Sequence, residues 1–451
     1  MDNLFELSKS IIDNNIVDIP TNRMNLQLSE LLDNVAMVEA FSHSIIFKTS
    51  AGLVVFDASS QYFGASVVKA IRNWSEDRFD TLVYTHGHID HVGGGRAFLN
   101  DTLGRDGPPL RIVGHENLPK RLIRYQLTTG YNQTINQRQF GDHLKERLKT
   151  DGKTQLFPPN TVAPNVMYSD QLCLEIGGTV FHLYHDKGET DDHTWAWIPD
   201  IRAICAGDFF IWLFPNAGNP QKAQRYPLEW VNTLHRMAAL EADYLLPAHG
   251  LPIRGRNRIK TVLLDTAKAL DTVIQQTLEM MNQGKALNSI INEISLPAEY
   301  TNKPYLRPFY DEPEFVIHNL WRLYGGWYDG NPSRLKSPSD QAIAQELAQL
   351  AGGATKLAER AWNLAEKGDL KLAGCLVEAA KDADPDNVSI HETRAAIYKS
   401  LRKEATSLMA KGIYQSAADV SLSFVNPRSK PSNAGLNPID DESVHDSGRS
   451  L

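Results

Sequence analysis

Cysteine is scarce in this chain, with 3 among 451 residues. Cys173, Cys205 and Cys375 are scattered and odd in number, which excludes a disulfide framework, and no two of them have the spacing of a cysteine zinc motif. Each cysteine lies between apolar neighbours. This pattern predicts buried thiols in a protein of a reducing compartment.

Long apolar runs and an excess of basic residues are also missing. No stretch of about 18 apolar residues is present, so we expect no membrane-spanning helix. The first ten residues, MDNLFELSKS, are acidic where a signal peptide has a basic and then an apolar region, so we expect a soluble cytoplasmic protein. Lysine and arginine total 46 against 54 acidic residues, a net charge of −8, which argues against a dedicated nucleic-acid binder.

The remaining composition is that of an ordinary globular protein. Hydrophobic residues make up 42% and charged residues 22%, which excludes a wholly disordered or collagen-like chain. Over residues 1–262, short apolar runs alternate with turns and helical patterns, which indicates a layered α/β domain. Amphipathic helices follow one another over residues 263–424. Residues 425–451 are rich in Pro, Ser, Asn and Asp, and we expect a disordered tail there.

The most informative segment runs from Thr85 to Gly94 and reads THGHIDHVGG. It follows a predicted buried strand, and a loop at a strand end can bring three histidines and one aspartate to one point. His86 and His88 can bind one metal ion, while Asp90 and His91 bind a second. Imidazole and carboxylate ligands suit zinc or another divalent transition metal. The spacing therefore predicts a metal site rather than a polar turn that is rich in histidine.

This motif resembles the His-x-His-x-Asp-His pattern of the metallo-β-lactamase superfamily. The resemblance implies an αββα sandwich of two mixed sheets, with a two-metal centre at one edge and three further ligands at downstream strand ends. The matching positions are Glu189 in GETDDHT, Asp208 in AGDF and His249 in LLPAHG. The implied ligands are His86, His88 and Glu189 for the first ion, Asp90, His91 and His249 for the second, and Asp208 as the bridge.

Two further features resemble the alkylsulfatase group of that superfamily. Glu189 stands where most members have histidine, which is typical of alkylsulfatases. The segment from Tyr324 to Pro332, YGGWYDGNP, looks like the signature of the helical alkylsulfatase dimerisation domain. The resemblance covers about residues 30–424 and implies a homodimer formed through the C-terminal helices.

The chain also departs from the best-known long-chain alkylsulfatases. Asp208 replaces a bridging glutamate, and the stretch that follows differs from the Asn- and Thr-rich stretch that holds sulfate in those enzymes. The candidates for binding an anionic substrate are Asn216, Asn219, Arg225 and Tyr131. The apolar run Phe209–Phe214 suggests an apolar substrate wall. The chain ends in a short polar tail where those enzymes have a sterol-carrier-like domain, so we expect a compact anionic ester as the substrate.

The ligand set and the resemblance together predict a dinuclear zinc-dependent hydrolase of an alkyl-type sulfate ester, acting through a metal-bound hydroxide. Asp90 and Asp208 are the predicted catalytic residues, and Asp57 could orient ligands or simply form a turn. A hydrolase of the same fold that cleaves another ester, a lactone, a thioester, a phosphoester or an amide is the alternative. A metal-binding scaffold without activity is a third hypothesis, which a complete set of seven ligands disfavours.

Overall fold

The computed structural model describes residues 4–148, 158 and 160–427. Its strands are β1 (Leu28–Leu32), β2 (Val35–Val38), β3 (Ser44–Thr49), β4 (Gly52–Phe56), β5 (Phe79–Val83), β6 (Arg111–His115), β7 (Val166–Tyr168), β8 (Gln171–Ile176), β9 (Thr179–His185), β10 (Thr194–Ile198), β11 (Ala203–Gly207), β12 (Tyr244–Pro247) and β13 (Ile253–Arg254). Its helices are α1 (Leu4–Asp13), α2 (Gly64–Arg72), α3 (Ile89–Val92), α4 (Gly95–Thr102), α5 (Asn117–Leu127), α6 (Thr129–Leu148), α7 (Pro227–Ala239), α8 (Arg256–Asn282), α9 (Leu287–Glu293), α10 (Ala298–Thr301), α11 (Pro313–Gly325), α12 (Asp340–Ala351), α13 (Ala354–Glu366), α14 (Leu370–Ala383), α15 (Val388–Glu404) and α16 (Leu408–Val425). Over the described part of the chain, none of these helices combines the length and apolar character needed to cross a membrane.

The strands form two mixed sheets. The first has seven strands in the order β1 to β7, and the second has six in the order β13-β12-β11-β10-β9-β8. Strands β4 to β7 run parallel in the first sheet and β11 and β12 run parallel in the second. Because parallel strands end at the same edge of a sheet, the loops that follow β4, β5, β11 and β12 can supply one site.

Alternation along the strands divides the side chains of the first sheet between two cores. Phe56 on β4 and Phe47 on β3 lie against Phe181 of β9, with ring centroids 6.2 and 5.4 Å apart, in a core that both sheets share. Val55 faces the opposite way, into a core closed by α2, α4 and α5. Helix α7 covers the second sheet through Arg236, which lies over the rings of Tyr184 and Trp195. The order helix, sheet, sheet, helix confirms the predicted αββα sandwich.

The described residues fall into two compact units. The first extends to Pro338 and includes Arg402–Ile413, while the second consists of Ser339–Leu401 and the described residues from Tyr414 onward. Helices α8 to α11 therefore belong to the first unit. The boundary of a compact structural unit need not coincide with the boundary of an evolutionary domain, so the predicted domain boundary at residue 262 stays a prediction. The disordered tail was predicted for residues 425–451, and all of it after residue 427 lies outside the described residues.

The second unit is all helical. Helix α12 begins at Ser339, whose Oγ accepts the backbone N–H of Ala342, and ends before Gly352, which has a φ of 85°. These are the residue types that favour a helix start and a helix stop. The core of the second unit consists of side chains from α13, α14 and α15, among them Ala361, Leu364, Ala373, Val377 and Ile397. The predicted succession of amphipathic helices is confirmed.

The prediction of three buried thiols is correct only for Cys205, which lies in β11. Cys173 and Cys375 are exposed. Cys173 lies on β8, where neighbouring side chains point to opposite faces, and Cys375 lies on the outer face of α14. Apolar neighbours in the sequence therefore did not indicate burial at these two positions.

Candidate metal centre

The seven predicted ligands lie at one edge of the sandwich. His86 and His88 follow β5, Asp90 and His91 lie in α3, Glu189 lies between β9 and β10, Asp208 follows β11, and His249 follows β12. They form two groups, and within each the potential ligand atoms all lie within 4.8 Å of one another. The first group is His86, His88, Glu189 and Asp208, and the second is Asp90, His91 and His249.

The first group brings two imidazoles and two carboxylates together. The Nε2 atom of His86 lies 2.8 Å from Nδ1 of His88 and 3.8 Å from Oδ2 of Asp208. Nδ1 of His88 lies 3.4 Å from Oε1 of Glu189. His86 is fully buried, and Glu189 and Asp208 are almost so. Four such donors suit one tetrahedral divalent transition ion.

The second group lies beside it and shares Asp208. Nε2 of His249 lies 3.3 Å from Oδ2 of Asp90, and Nε2 of His91 lies 3.6 Å from the same oxygen. Oδ2 of Asp208 lies 3.4 Å from Nε2 of His91, and its Oδ1 lies 3.6 Å from Nε2 of His249. Asp208 therefore faces both groups, as a bridging carboxylate must.

The centre is buried and rich in carboxylates. Burial, reinforced by neighbouring histidines, lowers the pKa of His86 well below its usual value, so its ring is neutral and has a free lone pair. Burial disfavours a proton on His91, but three carboxylates, first that of Asp208, raise the pKa of His91 well above its usual value. Against the effect of burial, His91 lowers the pKa of Asp90 to about 2. The negative field that attracts a proton to His91 also attracts a divalent cation.

Two atoms of the cluster have no hydrogen-bond partner among the residues that the structure describes. They are Nε2 of His91 and Oδ1 of Asp208, and both are buried. A buried polar atom without a partner costs about 1–3 kcal/mol, and metal ions would satisfy both atoms. The residues present therefore fit the two-ion centre that the sequence predicts, and imidazole with carboxylate fits zinc or a similar ion.

Asp57, at the end of β4, holds His91 in place. Its Oδ2 lies 2.7 Å from Nδ1 of His91 and accepts a hydrogen bond from Oγ1 of Thr85, while Oδ1 accepts the backbone N–H of Thr85 at 2.7 Å. Asp57 is buried and has a φ of 62°, a left-handed conformation that aspartate tolerates better than most residues. Of the two alternatives, the geometry supports a role in orienting a ligand, because it leaves Nε2 of His91 facing the centre.

Sequence reasoning missed Asp192 and His193, which orient the ligand loops. Oδ2 of Asp192 accepts the backbone N–H of Gly87 at 2.8 Å, and its Oδ1 accepts from Nε of Arg121 at 2.8 Å. A Cβ atom at Gly87 would lie under 3 Å from both Arg121 and Asp192, so only glycine allows this approach between the two histidines. Nε2 of His193 accepts the backbone N–H of Asp208 at 3.2 Å. Asp192 and His193 lie in the GETDDHT segment that also carries Glu189, and this proximity to a predicted ligand was the sequence signal that could have identified them.

Three of the four predicted substrate-binding residues are buried, and two of these, Asn216 and Arg225, lie beside the centre. Nδ2 of Asn216 donates to Oε1 of Glu189 at 2.5 Å, and Nη1 of Arg225 lies 2.8 Å from the same oxygen. Asn219 is held through its backbone N–H, which donates to Oδ2 of Asp311 at 3.2 Å. Asn216 and Arg225 therefore contact a predicted metal ligand directly.

Tyr131, the fourth of these residues, lies on α6 and is 65% exposed. The buried face of α6 carries Asn132, Asn136 and Gln139 instead. Nε2 of Gln139 lies 3.4 Å from Oδ1 of Asn219, so this face, rather than Tyr131, contacts the stretch that follows Asp208. A role for Tyr131 in substrate binding stays a prediction.

Lys222 is a basic residue near the centre that sequence reasoning did not assign. Its Nζ donates to Oδ1 of Asn136 at 2.6 Å. Burial, with a smaller effect of Arg225, lowers the pKa of Lys222 to about 7, while the carboxylates of Asp90 and Glu189 act in the opposite direction. The side chain therefore lies within electrostatic range of both ligand groups. Its place in the stretch after Asp208 was the available signal.

Tyr310 is a second unassigned residue near the centre. Its ring stacks on Phe140 of α6 at a centroid distance of 6.2 Å. Burial, with the nearby carboxylate of Glu189, raises the pKa of its hydroxyl, so the hydroxyl stays protonated and can donate a hydrogen bond. No sequence motif marked this position, which lies in the connector between α10 and α11.

The predicted apolar wall is wrong for most of the run Phe209–Phe214. Phe209, Phe210, Trp212 and Phe214 are at most 1% exposed. Phe209 stacks on His193, and Nε1 of Trp212 donates to the carbonyl of Leu251. The chain enters the core directly after Asp208, so these rings pack in the core, where Phe209 supports His193, and only Leu213 of this run is partly exposed.

An αββα sandwich with clustered histidines and carboxylates at one edge defines a metal-binding domain of the metallo-β-lactamase type. Comparison with known families agrees with this assignment. Residues 38–249 match the metallo-beta-lactamase superfamily, and residues 286–422 match the alkyl sulfatase dimerisation family. The chain therefore consists of a metallo-β-lactamase domain followed by an alkyl sulfatase dimerisation domain, and it is homologous to alkylsulfatases.

Several curated proteins are similar to this chain. A linear primary-alkylsulfatase of Pseudomonas sp. is 28% identical over 363 residues, which are 78% of this chain and 68% of that protein. An (R)-specific secondary-alkylsulfatase of Pseudomonas sp. is 22% identical over 83% of this chain and 59% of its own length. An alkyl/aryl-sulfatase of Saccharomyces cerevisiae is 22% identical over 86% of this chain and 62% of its own length. This chain thus spans about 60–70% of the length of these relatives.

A solved structure has the same fold. The stereoselective inverting sec-alkylsulfatase Pisa1 from Pseudomonas sp. superimposes with a TM-score of 0.78 over 90% of this chain and 66% of that chain, at 20% identity. At this identity the match shows a shared fold. It includes the helical region after the sandwich, because 90% of the chain is covered.

Proposed function

We propose that this protein is a dinuclear metal-dependent hydrolase of organic sulfate esters, with two zinc ions per chain as the first candidate metals. The observation that carries the proposal is the pair of ligand groups joined by Asp208, in which seven side chains from four chain segments converge at one edge of the sandwich. The sulfate ester is proposed because the similar curated proteins are alkylsulfatases.

In this proposal the chain's residues hold, orient and surround the ions. His86, His88 and Glu189 would hold one ion and Asp90, His91 and His249 the other, with Asp208 between them. When bound, the ions would supply a water molecule of lowered pKa and stabilise the negative charge that develops on the ester. Asp57 and His193 keep His91 and Asp208 oriented toward the ions through the hydrogen bonds described above.

The substrate would lie against the stretch after Asp208. Asn216, Asn219, Arg225 and Tyr131 are the proposed contacts from the sequence, and the structure adds Lys222 and Tyr310 beside them. The amine of Lys222, whose protonated form a bound anion would favour, and the protonated hydroxyl of Tyr310 are suitable hydrogen-bond donors to the oxygens of a sulfate group, because hydrogen bonds to a charged group are strong in a site of low dielectric constant. This favours an anionic ester over a neutral one.

A panel of substrates at pH near 7.5 tests the proposal. It would contain short and long alkyl sulfates, an aryl sulfate, a phosphoester, a lactone and a β-lactam, with free sulfate followed by ion chromatography. We expect sulfate release that a chelator abolishes and added zinc restores. Turnover of the lactone or phosphoester with no sulfate from any ester would replace this proposal by the alternative hydrolase.

We also propose a homodimer formed through the C-terminal helices. The match to the dimerisation family supports this proposal. Within the second unit, Ile343, Leu347 and Leu350 lie on one face of α12 and are 42%, 41% and 84% exposed, and an exposed apolar helix face is typical of an interface.

The cytoplasmic location of the protein stays a prediction.

A further inference from the structure

Glu189 has a cationic partner inside the candidate centre. Nη1 of Arg225 lies 2.8 Å from Oε1 of Glu189 and donates to its backbone carbonyl at 2.9 Å. Arg225 is 2% exposed and Glu189 is 5% exposed. Two contacts to one residue, away from water, make this a strong and specific pair.

The main chain of Arg225 is held from two sides. Asn319 on α11 accepts the backbone N–H of Arg225 at 3.1 Å and donates to its carbonyl at 3.0 Å. The next residue, Tyr226, donates its backbone N–H to the carbonyl of Gly188 at 2.9 Å. The guanidinium is therefore placed beside Glu189 by the fold itself and needs no substrate to bring it there.

This placement changes the charge of the centre. Three carboxylates, those of Asp90, Glu189 and Asp208, face the two ion positions. Each carboxylate ligand strengthens the attraction of the site for a cation and reduces the charge that the bound ion presents to a substrate. A buried guanidinium on Glu189 offsets one of the three negative charges.

We propose that Arg225 is a positioning residue of the metal centre, which offsets the charge of Glu189 so that a glutamate serves as a ligand without adding net negative charge. The proposal rests on the proposed function only in that Glu189 binds an ion. It does not depend on which ester is cleaved. If Arg225 only bound the substrate, its replacement would not change metal binding in the absence of substrate. The present proposal predicts that it does.

The test measures how tightly zinc is retained in four proteins: the natural chain, Arg225→Gln, Glu189→His and the double variant. The zinc-loaded proteins would be titrated with a chelator, and the chelator concentration that removes half of the first-released zinc would be recorded by elemental analysis. Glu189→His leaves Arg225 facing a neutral ligand, so we expect easier loss of zinc. Adding Arg225→Gln removes the unbalanced positive charge, and we expect it to recover zinc retention about tenfold or more.

In the natural background Arg225→Gln should also raise zinc retention, because it exposes the full charge of Glu189 to the ion. Arg225→Lys keeps the charge and should retain zinc like the natural chain. Arg256→Gln is the matched control, since Arg256 pairs with Asp243 on the surface. Circular dichroism would show that each variant is folded.

The alternatives give different results. If Arg225→Gln changes zinc retention in neither background, Arg225 acts on the substrate alone and the proposal is overturned. If it weakens retention in both backgrounds, Arg225 merely supports the fold and the proposal is again overturned. Failure of the sulfate-ester proposal would appear in the substrate panel and would leave these metal titrations unchanged.

Discussion

At the scale of single residues, the centre depends on the groups behind its ligands as much as on the ligands. Asp57 turns the ring of His91, Asp192 holds the loop between His86 and His88, and His193 holds the main chain of Asp208. Each partner is buried, so its hydrogen bond is not exchanged for one to water. The ligand atoms are thereby held in position before an ion arrives.

The replacement His88→Ala should remove one ion from the centre. It deletes one of two imidazoles in the first group, while the second group keeps its three side chains and Asp208. We expect metal content to fall from about two toward about one ion per chain, with loss of most activity. Elemental analysis of protein purified without chelator measures this, with His318→Ala, an exposed position on α11, as the control. Full activity without bound metal would contradict the proposed centre.

The replacement Lys222→Met should weaken binding of an anionic substrate. A hydrogen bond to a charged group contributes about 1.5–3 kcal/mol, so we expect KM for an organic sulfate to rise about tenfold or more. KM for a neutral ester should change little. Steady-state kinetics with both substrates check this, and Lys285→Met, which removes a surface partner of Glu293, is the control. Equal effects on both substrates would show that Lys222 does not contact the charged group.

At the scale of elements, the second unit contains a partly buried ion pair that joins two helices. Nε and Nη2 of Arg394 on α15 lie 2.8 and 2.6 Å from Oε1 of Glu378 on α14. Burial alone would raise the pKa of Glu378, but hydrogen bonds from Arg394 and Tyr398 lower it below its usual value. The unfolded chain therefore binds this proton more readily than the folded one.

The stability contributed by this pair should be lost in acid. Because the folded pKa is depressed, the contribution is present above the unfolded pKa of about 4.3 and disappears as pH falls through the folded value. At pH 7 we expect Glu378→Gln to lower the unfolding midpoint, and the difference from the natural chain should narrow below about pH 4. Thermal unfolding followed by circular dichroism at several pH values measures this. Any metal bound at the proposed centre would be lost in acid by both proteins alike, so a constant difference between their unfolding midpoints would contradict the linkage.

At the scale of the whole molecule, the proposed dimer has a direct test. Light scattering should give twice the chain mass of 50.4 kDa. The double replacement Leu347→Glu with Leu350→Glu places two charges on the apolar face of α12 and should shift the protein toward monomer. Ile123→Glu with Leu127→Glu, at exposed positions of α5, is the matched control and should leave the mass unchanged. A monomer at micromolar concentration for the natural chain would contradict the proposal.

The sequence by itself determined what depends on neighbours along the chain. Short apolar runs and helical periodicity indicated a layered α/β domain and the helices after it, and the family resemblance implied that the strands form a two-sheet sandwich. The spacing His86-x-His88-x-Asp90-His91 placed four candidate metal ligands on one short segment, and the resemblance supplied Glu189, Asp208 and His249. These features are readable because the type of element and the type of ligand are encoded within a few residues.

Tertiary structure decided which buried groups meet. Asp57 and His91 are 34 residues apart, Gly87 and Asp192 are 105 apart, and Arg225 meets Glu189 across 36 residues. No local sequence pattern predicts which two residues meet in such a pair, because the packing of strands and helices brings them together. The same holds for the run Phe209–Phe214, whose apolar character suits a core as well as a substrate wall. Burial depends on what packs against a side chain, and only the folded chain brings that neighbour into place.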